Sequence, residues 1–244
     1  MEADRAVASA RELDMLLTLP IREILPATPR AQIVRLDLGG RPFPYRAGQA
    51  VFVGTHGDPR REPYSLTGAP EESRSDDCLE LLVRTDRAGA RGPSLAPGEC
   101  LDVEGPVGQF TFPVEPAERR FIFIAGGTGI APLRAMVRHA LRTPHREIHV
   151  LYSARTGNEF AYENELRALA RDGRLRLHQT ITRCDVDDSW TGNRGRIGRR
   201  ELQALVDDPA TLCFICGPLA FVADTRGVLE ELGLPRERIK IEEW

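Results

Sequence analysis

The sequence predicts a chain of two unlike units, an antiparallel all-β domain followed by a doubly wound α/β domain. Three observations carry that reading. Up to Phe112, short apolar runs are separated by Gly, Pro and charge, the pattern of closely spaced strands in a barrel or sandwich. From Arg120 onward, apolar runs alternate with helical periodicity, as in a parallel sheet with helices on both faces. Between them PVEPAERR, Pro113–Arg120, has the composition of a linker.

Taken in order, Glu2–Leu17 reads as a short helix packed outside the β domain, or as a frayed extension. Strands follow at Gln32–Leu38, Ala50–Thr55, Tyr64–Gly68, Cys78–Thr85, Leu101–Glu104 and Gln109–Phe112. The second unit offers strands at Arg120–Ala125, Glu147–Ser153, Leu175–Thr182, Thr211–Cys216 and Arg238–Glu243. Its helices are expected at Pro132–Arg142, Glu159–Arg171, Arg199–Val206 and Leu219–Leu232. The domain limits are therefore an extension over 1–15, a β domain over 16–116 and an α/β domain over 117–244.

Bulk composition excludes several classes. A net charge of −3 gives no reason to expect nucleic acid or an anionic membrane as partner. No run of 18 apolar residues exists, so no transmembrane helix is expected. The start, MEADRAVASARELDMLL, is acidic and lacks a signal-peptide pattern, which makes the cytoplasm the expected location. Cys78, Cys100, Cys184, Cys213 and Cys216 are odd in number and scattered, which argues against a disulfide framework. Cys213 and Cys216 have no second pair to complete a zinc site, and no iron–sulfur spacing is present. The five histidines are dispersed, so no metal site is expected. Redox chemistry would need an organic cofactor.

The most informative stretch is FIFIAGGTGIAPLRAMVRHAL, Phe121–Leu141. A fully apolar strand runs into Gly126, Gly127 and Gly129, where bare backbone turns and approaches a ligand closely. Pro132 then suits a helix start, and Leu133, Met136, Val137, Ala140 and Leu141 make one apolar helix face. Free N–H groups at such a start attract phosphate. The pattern departs from G-x-G-x-x-G because Pro132 replaces the third glycine. The acid expected about 20 residues on, at the end of the second strand, is also missing; Tyr152, Ser153, Ala154 and Arg155 stand there. A ribose 2′-hydroxyl would lack its carboxylate, whereas Arg155 would suit a 2′-phosphate. If the turn holds a nicotinamide dinucleotide, NADPH is the weakly favoured form.

In the β domain, Tyr64-Ser65 places an aromatic and a hydroxyl at a strand end, and Arg91-Gly92-Pro93-Ser94 places a hydroxyl beside bare backbone. Each has an ordinary reading, a barrel pair and a polar loop. Taken with GPVGQF, GGTGIAP, LYSART, WTGNRGRI, CGP and the acidic–aromatic chain end, PYSL resembles the ferredoxin–NADP reductase superfamily. The resemblance runs from about Leu16 to Trp244.

That resemblance implies a six-stranded FAD-binding barrel, a five-stranded parallel sheet for NAD(P)H, and a flavin in the cleft between them. By position, it implies that Tyr64 stacks on the isoalloxazine, that Ser65 bonds near flavin N5, and that Leu82, Val83 and Arg84 follow the flavin edge and ribityl chain. Gly92 and Ser94 meet the FAD pyrophosphate. Gly127, Thr128 and Gly129 cradle the nicotinamide dinucleotide's pyrophosphate, while Ser153, Arg155 and Arg183 lie at its adenosine end. Cys216, Gly217 and Pro218 border the nicotinamide, and Trp244 covers the flavin until nicotinamide displaces it. Tyr64, Ser65, Cys216 and Trp244 are thus the candidate catalytic residues.

Two departures from the family pattern stand out. Glu62 occupies the place of the usual phosphate-binding arginine, with Arg61 one residue earlier, so either Arg61 takes the role or phosphate affinity is weaker. The segment Ser94–Gly98 is also short. The implied activity is hydride transfer from NAD(P)H to flavin and electron delivery to a ferredoxin-like protein, an oxygenase component or a small oxidant. Two other readings fit the same residues: a free-flavin or ferric reductase, and a non-catalytic electron-transfer or regulatory subunit.

Overall fold

The structure, a computed structural model, describes residues 15–85, 95–183, 190–206, 208 and 210–243. The first sheet comprises β1 (Met15–Thr28), β2 (Ala31–Asp37), β3 (Ala50–Thr55), β4 (Glu62–Ser65), β5 (Cys78–Arg84) and β6 (Cys100–Val107), with helix α1 (Pro70–Asp76) between β4 and β5. The strands are ordered β4-β3-β6-β1-β2-β5, all antiparallel. A bridge between Leu66 and Leu81 brings the two edges together into a nearly closed barrel.

Two sequence expectations fail here for identifiable reasons. The strand β1 runs through residues read as helix and extension; Met15–Leu17 are extended, and the rest of the expected helix lies outside the described residues. Its prolines hid it, yet Pro20 sits where the strand changes partner. Met15–Pro20 pair with β6, and Ile21–Thr28 pair with β2. A missing N–H is tolerated at such an irregularity. Gln109–Phe112 is the second failure. It forms no strand, and the Phe112 amide makes one bond to the Ala47 carbonyl, at 2.9 Å.

The second sheet comprises β7 (Arg120–Gly126), β8 (Glu147–Ala154), β9 (Arg176–Ile181), β10 (Asn193–Arg194), β11 (Thr211–Gly217) and β12 (Ile239–Glu243). It is parallel and ordered β10-β9-β8-β7-β11-β12. The five expected strands are present, and two-residue β10 adds an edge. Helices α2 (Ile130–Ala140), α3 (Glu163–Arg171), α4 (Arg199–Leu202) and α5 (Leu219–Glu231) cover it. α2 begins two residues before Pro132, which falls in the first turn, where a missing N–H costs nothing. α3 begins four residues later than expected, because Tyr162 adopts a left-handed conformation at φ 59°.

Strand β7 explains its own apolar run. Ile122 and Ile124 join a core with Val222 and Leu229 of α5 on one face of the sheet. Phe121 and Phe123 join a core with Met136 of α2 on the other. That second core continues into the β domain through Ala47, Leu82, Phe110 and Phe112. The Phe112 ring lies 4.9 Å from Phe121 and 5.6 Å from Phe214. Burying each ring contributes about 2 kcal/mol, so the seam between the units is itself core. No helix among the described residues is long and apolar enough to cross a membrane.

Candidate functional site

The strand order reverses between β7 and β11, which makes their carboxyl ends the switch point where open α/β sheets bind ligands. Gly127–Gly129 form one 3-10 turn there, leading directly into α2. Gly127 has φ +57° and open space where a side chain would project, a bare surface that fits a phosphate. Gly126 and Gly217 have the opposite reason for being glycine. A Cβ on either would fall within 2.9 Å of the Phe221 ring, which occupies the space beside both strand ends.

Above this floor opens a cavity of about 330 Å³. Gly127, Thr128, Ser153, Arg155 and Pro218 line it and Arg84 reaches it from the barrel, whereas Gly129, Cys216 and Gly217 are not among its lining residues. Arg183 is tied to the same rim, because its amide donates to the Arg155 carbonyl at 2.9 Å. Tyr64, Ser65 and Arg61 do not line this cavity; they belong to β4 and its approach. Gly92, Ser94 and Trp244 lie outside the described residues.

The cavity holds charges the sequence did not point to. Arg30, from the β1–β2 turn, pairs with Glu159 at 3.3 Å, and Arg196 pairs with Asp224 at 3.2 Å. Arg155 has no ion-pair partner among the described residues. Among the described residues lining the cavity, arginine therefore outnumbers carboxylate, Arg30, Arg84, Arg155 and Arg196 against Glu159 and Asp224, which suits a polyanionic ligand. Arg30 and Glu159 are 129 positions apart and Arg196 and Asp224 are 28 apart, so spacing along the chain cannot gather them.

Beside the turn, Cys216 is buried at 1 % exposure, and its thiol donates to Glu242 Oε2 at 3.8 Å. The two residues face each other in the β11–β12 register. Burial lifts the Glu242 carboxyl to about 7, and burial together with the Glu242 charge pushes the thiol well above its ordinary value. Cys216 is thus a neutral donor rather than a nucleophile. Glu242 is a functional candidate that leaves no signal in the sequence beyond an acidic chain end, because its pairing with Cys216 appears only in the β11–β12 register.

On the barrel side, Tyr64 and Ser65 are half-buried, and the Tyr64 hydroxyl donates to Glu62 at 3.3 Å. Leu82 and Val83 are buried, in the shared core and the barrel core respectively. Arg61 faces Glu104 at 3.3 Å and Asp102 at 3.8 Å on β6, while its buried Nε has no hydrogen-bond partner among the described residues. That unused donor, the half-buried aromatic and the bare Gly127 turn are compatible with a flavin nucleotide and a pyridine nucleotide. Among the described residues, no group of His, Cys, Asp or Glu converges as a metal site.

A barrel joined to a parallel sheet, with an arginine-rimmed cavity at the switch point, defines a two-domain nucleotide-dependent oxidoreductase. Residues 123–227 match the family model of the oxidoreductase NAD-binding domain. The chain is 34% identical over 235 residues to ferredoxin–NADP reductase B of Sorangium cellulosum, covering 92% of this chain and 94% of that one. It is 27% identical to oxidoreductase NAD-binding domain-containing protein 1 of Danio rerio, covering 99% and 96%. Among solved structures, the Amycolatopsis cytochrome P450 reductase GcoB superposes with a TM-score of 0.81 at 25% identity, over 94% of this chain and 70% of that one. The chain belongs to the ferredoxin–NADP reductase family. It is an NAD(P)H-dependent flavoprotein reductase.

Proposed function

We propose that the chain takes hydride from NADPH at least as readily as from NADH and delivers electrons through FAD to a separate redox protein, a ferredoxin-like carrier or an oxygenase component. The observation that carries this reading is the cavity at the switch point, walled by the α/β glycine turn on one side and by Arg30 and Arg84 of the barrel on the other. Bound FAD supplies the hydride acceptor and the onward release of electrons. The protein's part is to hold two rings in contact and exclude water.

In this reading Tyr64 stacks on the isoalloxazine and Ser65 bonds near its N5. The backbone of Leu82 and Val83, with the Arg84 side chain, follows the flavin edge and ribityl chain, and Arg61, Gly92 and Ser94 serve its phosphates. Gly127, Thr128 and Gly129 receive the NAD(P)H pyrophosphate. Ser153, Arg155 and Arg183 take the adenosine end. Cys216, Gly217 and Pro218 border the nicotinamide, with Glu242 holding a proton beside Cys216, and Trp244 covers the flavin in its absence. The preference for NADPH rests on Arg155, which keeps its charge for a 2′-phosphate while Arg30 and Arg196 are engaged by carboxylates.

One observation favours a second reading, a free-flavin or ferric reductase. Arg61 is already engaged by Asp102 and Glu104, which weakens its hold on a flavin phosphate. The visible spectrum of the freshly purified protein separates the two. Bound flavin that bleaches on anaerobic addition of NADPH supports the reductase with resident FAD. A colourless protein that oxidises NADPH only with added flavin supports the second.

A further inference from the structure

Between the units lies a buried ionic cluster centred on Arg134 of α2, which is 8 % exposed. Its Nη1 donates to the Thr67 carbonyl at 2.9 Å and to Glu80 Oε1 of β5 at 2.8 Å. Its Nε and Nη2 grip Glu165 of α3 at 3.0 and 2.7 Å, and its Cζ lies 4.3 Å from the centre of the Tyr162 ring. Glu80 is fixed in turn by Thr67 Oγ1 at 2.8 Å, Arg35 at 2.8 Å and the Tyr162 hydroxyl at 3.1 Å. One planar guanidinium therefore ties the segment after β4, strand β5 and helix α3 to α2.

The two ends of this tie matter. Thr67 stands two residues beyond Ser65, and its amide and hydroxyl are also locked to the Glu80 carbonyl, at 3.0 and 3.1 Å. Arg134 stands one helical turn beyond Ile130, the first residue of α2 after the Gly127–Gly129 turn. A buried ion cluster is a poor source of stability compared with apolar packing of the same volume. Its distinguishing property is geometric, because a guanidinium fork accepts only one arrangement of its partners.

We infer that Arg134 is a positioning residue for hydride transfer, holding the Tyr64–Ser65 segment in register with the Gly127–Gly129 turn. The inference rests on the proposed placement of flavin at the first segment and NADPH at the second. It assigns Arg134 no contact with either cofactor. A displacement of about 1 Å between reacting groups is enough to cost orders of magnitude in rate, so the link acts on kcat rather than on nucleotide affinity.

The test is Arg134→Lys, which keeps the charge and loses the fork, in the full-length protein as purified. Two readouts are taken: amide hydrogen exchange at Leu66 and Thr67 with and without NADP⁺, and single-turnover flavin bleaching by NADPH. In the parent, NADP⁺ slows exchange at Thr67; in Arg134→Lys that response is lost. Flavin reduction at saturating NADPH falls about tenfold or more, while NADPH affinity stays within about twofold. An unchanged exchange response with a reduction rate within about twofold of the parent overturns the inference, whatever the melting temperature. Should Arg134→Lys not fold, Glu165→Gln removes one of the anchors from its partly exposed end and is judged by the same two readouts. A parent that holds flavin but is not bleached by NADPH overturns the functional reading itself, and the inference with it.

Discussion

Gly129 and Cys216 are in backbone contact: a Cβ on residue 129 would lie 2.2 Å from the Cys216 carbonyl oxygen and 2.8 Å from the Gly217 nitrogen. The phosphate turn and the end of β11 are therefore pressed together with no room for a methyl group. Gly129→Ala should destabilise the fold by about 1–3 kcal/mol, the usual cost of overpacking, and should weaken NADP⁺ binding because both walls of the site must move. Denaturant unfolding and NADP⁺ titration measure the two effects. Gly227→Ala is the control. It lies within α5 in open space, and removing glycine from a helix interior should stabilise by about 0.5–1 kcal/mol.

Glu242 should make stability depend on pH in an unusual direction for a carboxyl group. Its folded value, about 7, lies above the unfolded 4.5, so the folded protein binds the proton more tightly. The stability this group contributes is full below about pH 4.5 and is lost as pH rises through about 7. Glu242→Gln should flatten that fall. Thermal melts of parent and variant between about pH 5 and about pH 8 read the slope directly, and parallel slopes would show that Glu242 titrates normally.

Replacing Tyr64 with Ala should lower flavin content and shift the flavin absorption bands. Stacking is worth about 1 kcal/mol beyond area burial, so flavin affinity should fall several-fold on that account alone. The variant should still fold, because Tyr64 is half-buried at a strand end. Full occupancy with an unaltered spectrum in Tyr64→Ala counts against this placement of the isoalloxazine.

Arg155→Ala should raise the KM for NADPH much more than the KM for NADH, since only the phosphorylated ribose offers a charge-assisted contact. Arg30→Ala should affect the two nucleotides alike, because its place is on the barrel wall of the same cavity. Steady-state kinetics with both nucleotides on both variants decide the matter. Equal effects of Arg155→Ala on the two would remove the argument for NADPH.

The sequence made some of this site readable and hid the rest for physical reasons. The β7–turn–α2 unit was legible because a strand buried on both faces, a glycine turn and an amphipathic helix each leave a local pattern. Gly127, Thr128, Ser153 and Arg155 follow from that unit and from the end of the next strand, whereas Pro218 came only with the family resemblance. Glu159, Asp224 and Arg30 were illegible because only the tertiary fold brings their elements to one cavity. The strand β1 was masked by Pro20 and Pro26 together with charge at Arg22 and Glu23, features that normally end strands. Here Pro20 marks a change of partner, and register shifts accompany Arg22 and Pro26. Phe110 and Phe112 looked like the last barrel strand because periodicity cannot tell which core an aromatic enters.

The aromatic seam has a consequence for anyone who wishes to recombine this chain with its relatives. PVEPAERR looks like the natural place to cut, yet Phe112 lies upstream of it, meets Phe121 edge-on and stacks with Phe123 and Phe214 downstream. A chimera joined within that segment would inherit half of an interlocked set of rings from each parent. Transplanting the nucleotide-binding half therefore requires moving Phe110 and Phe112 with it, together with the Ala47–Gly48 backbone. Phe112 is hydrogen-bonded to Ala47, and Gly48 has no space for a side chain beside Met136 and Phe110. The unit of exchange is set by the packing, not by the linker.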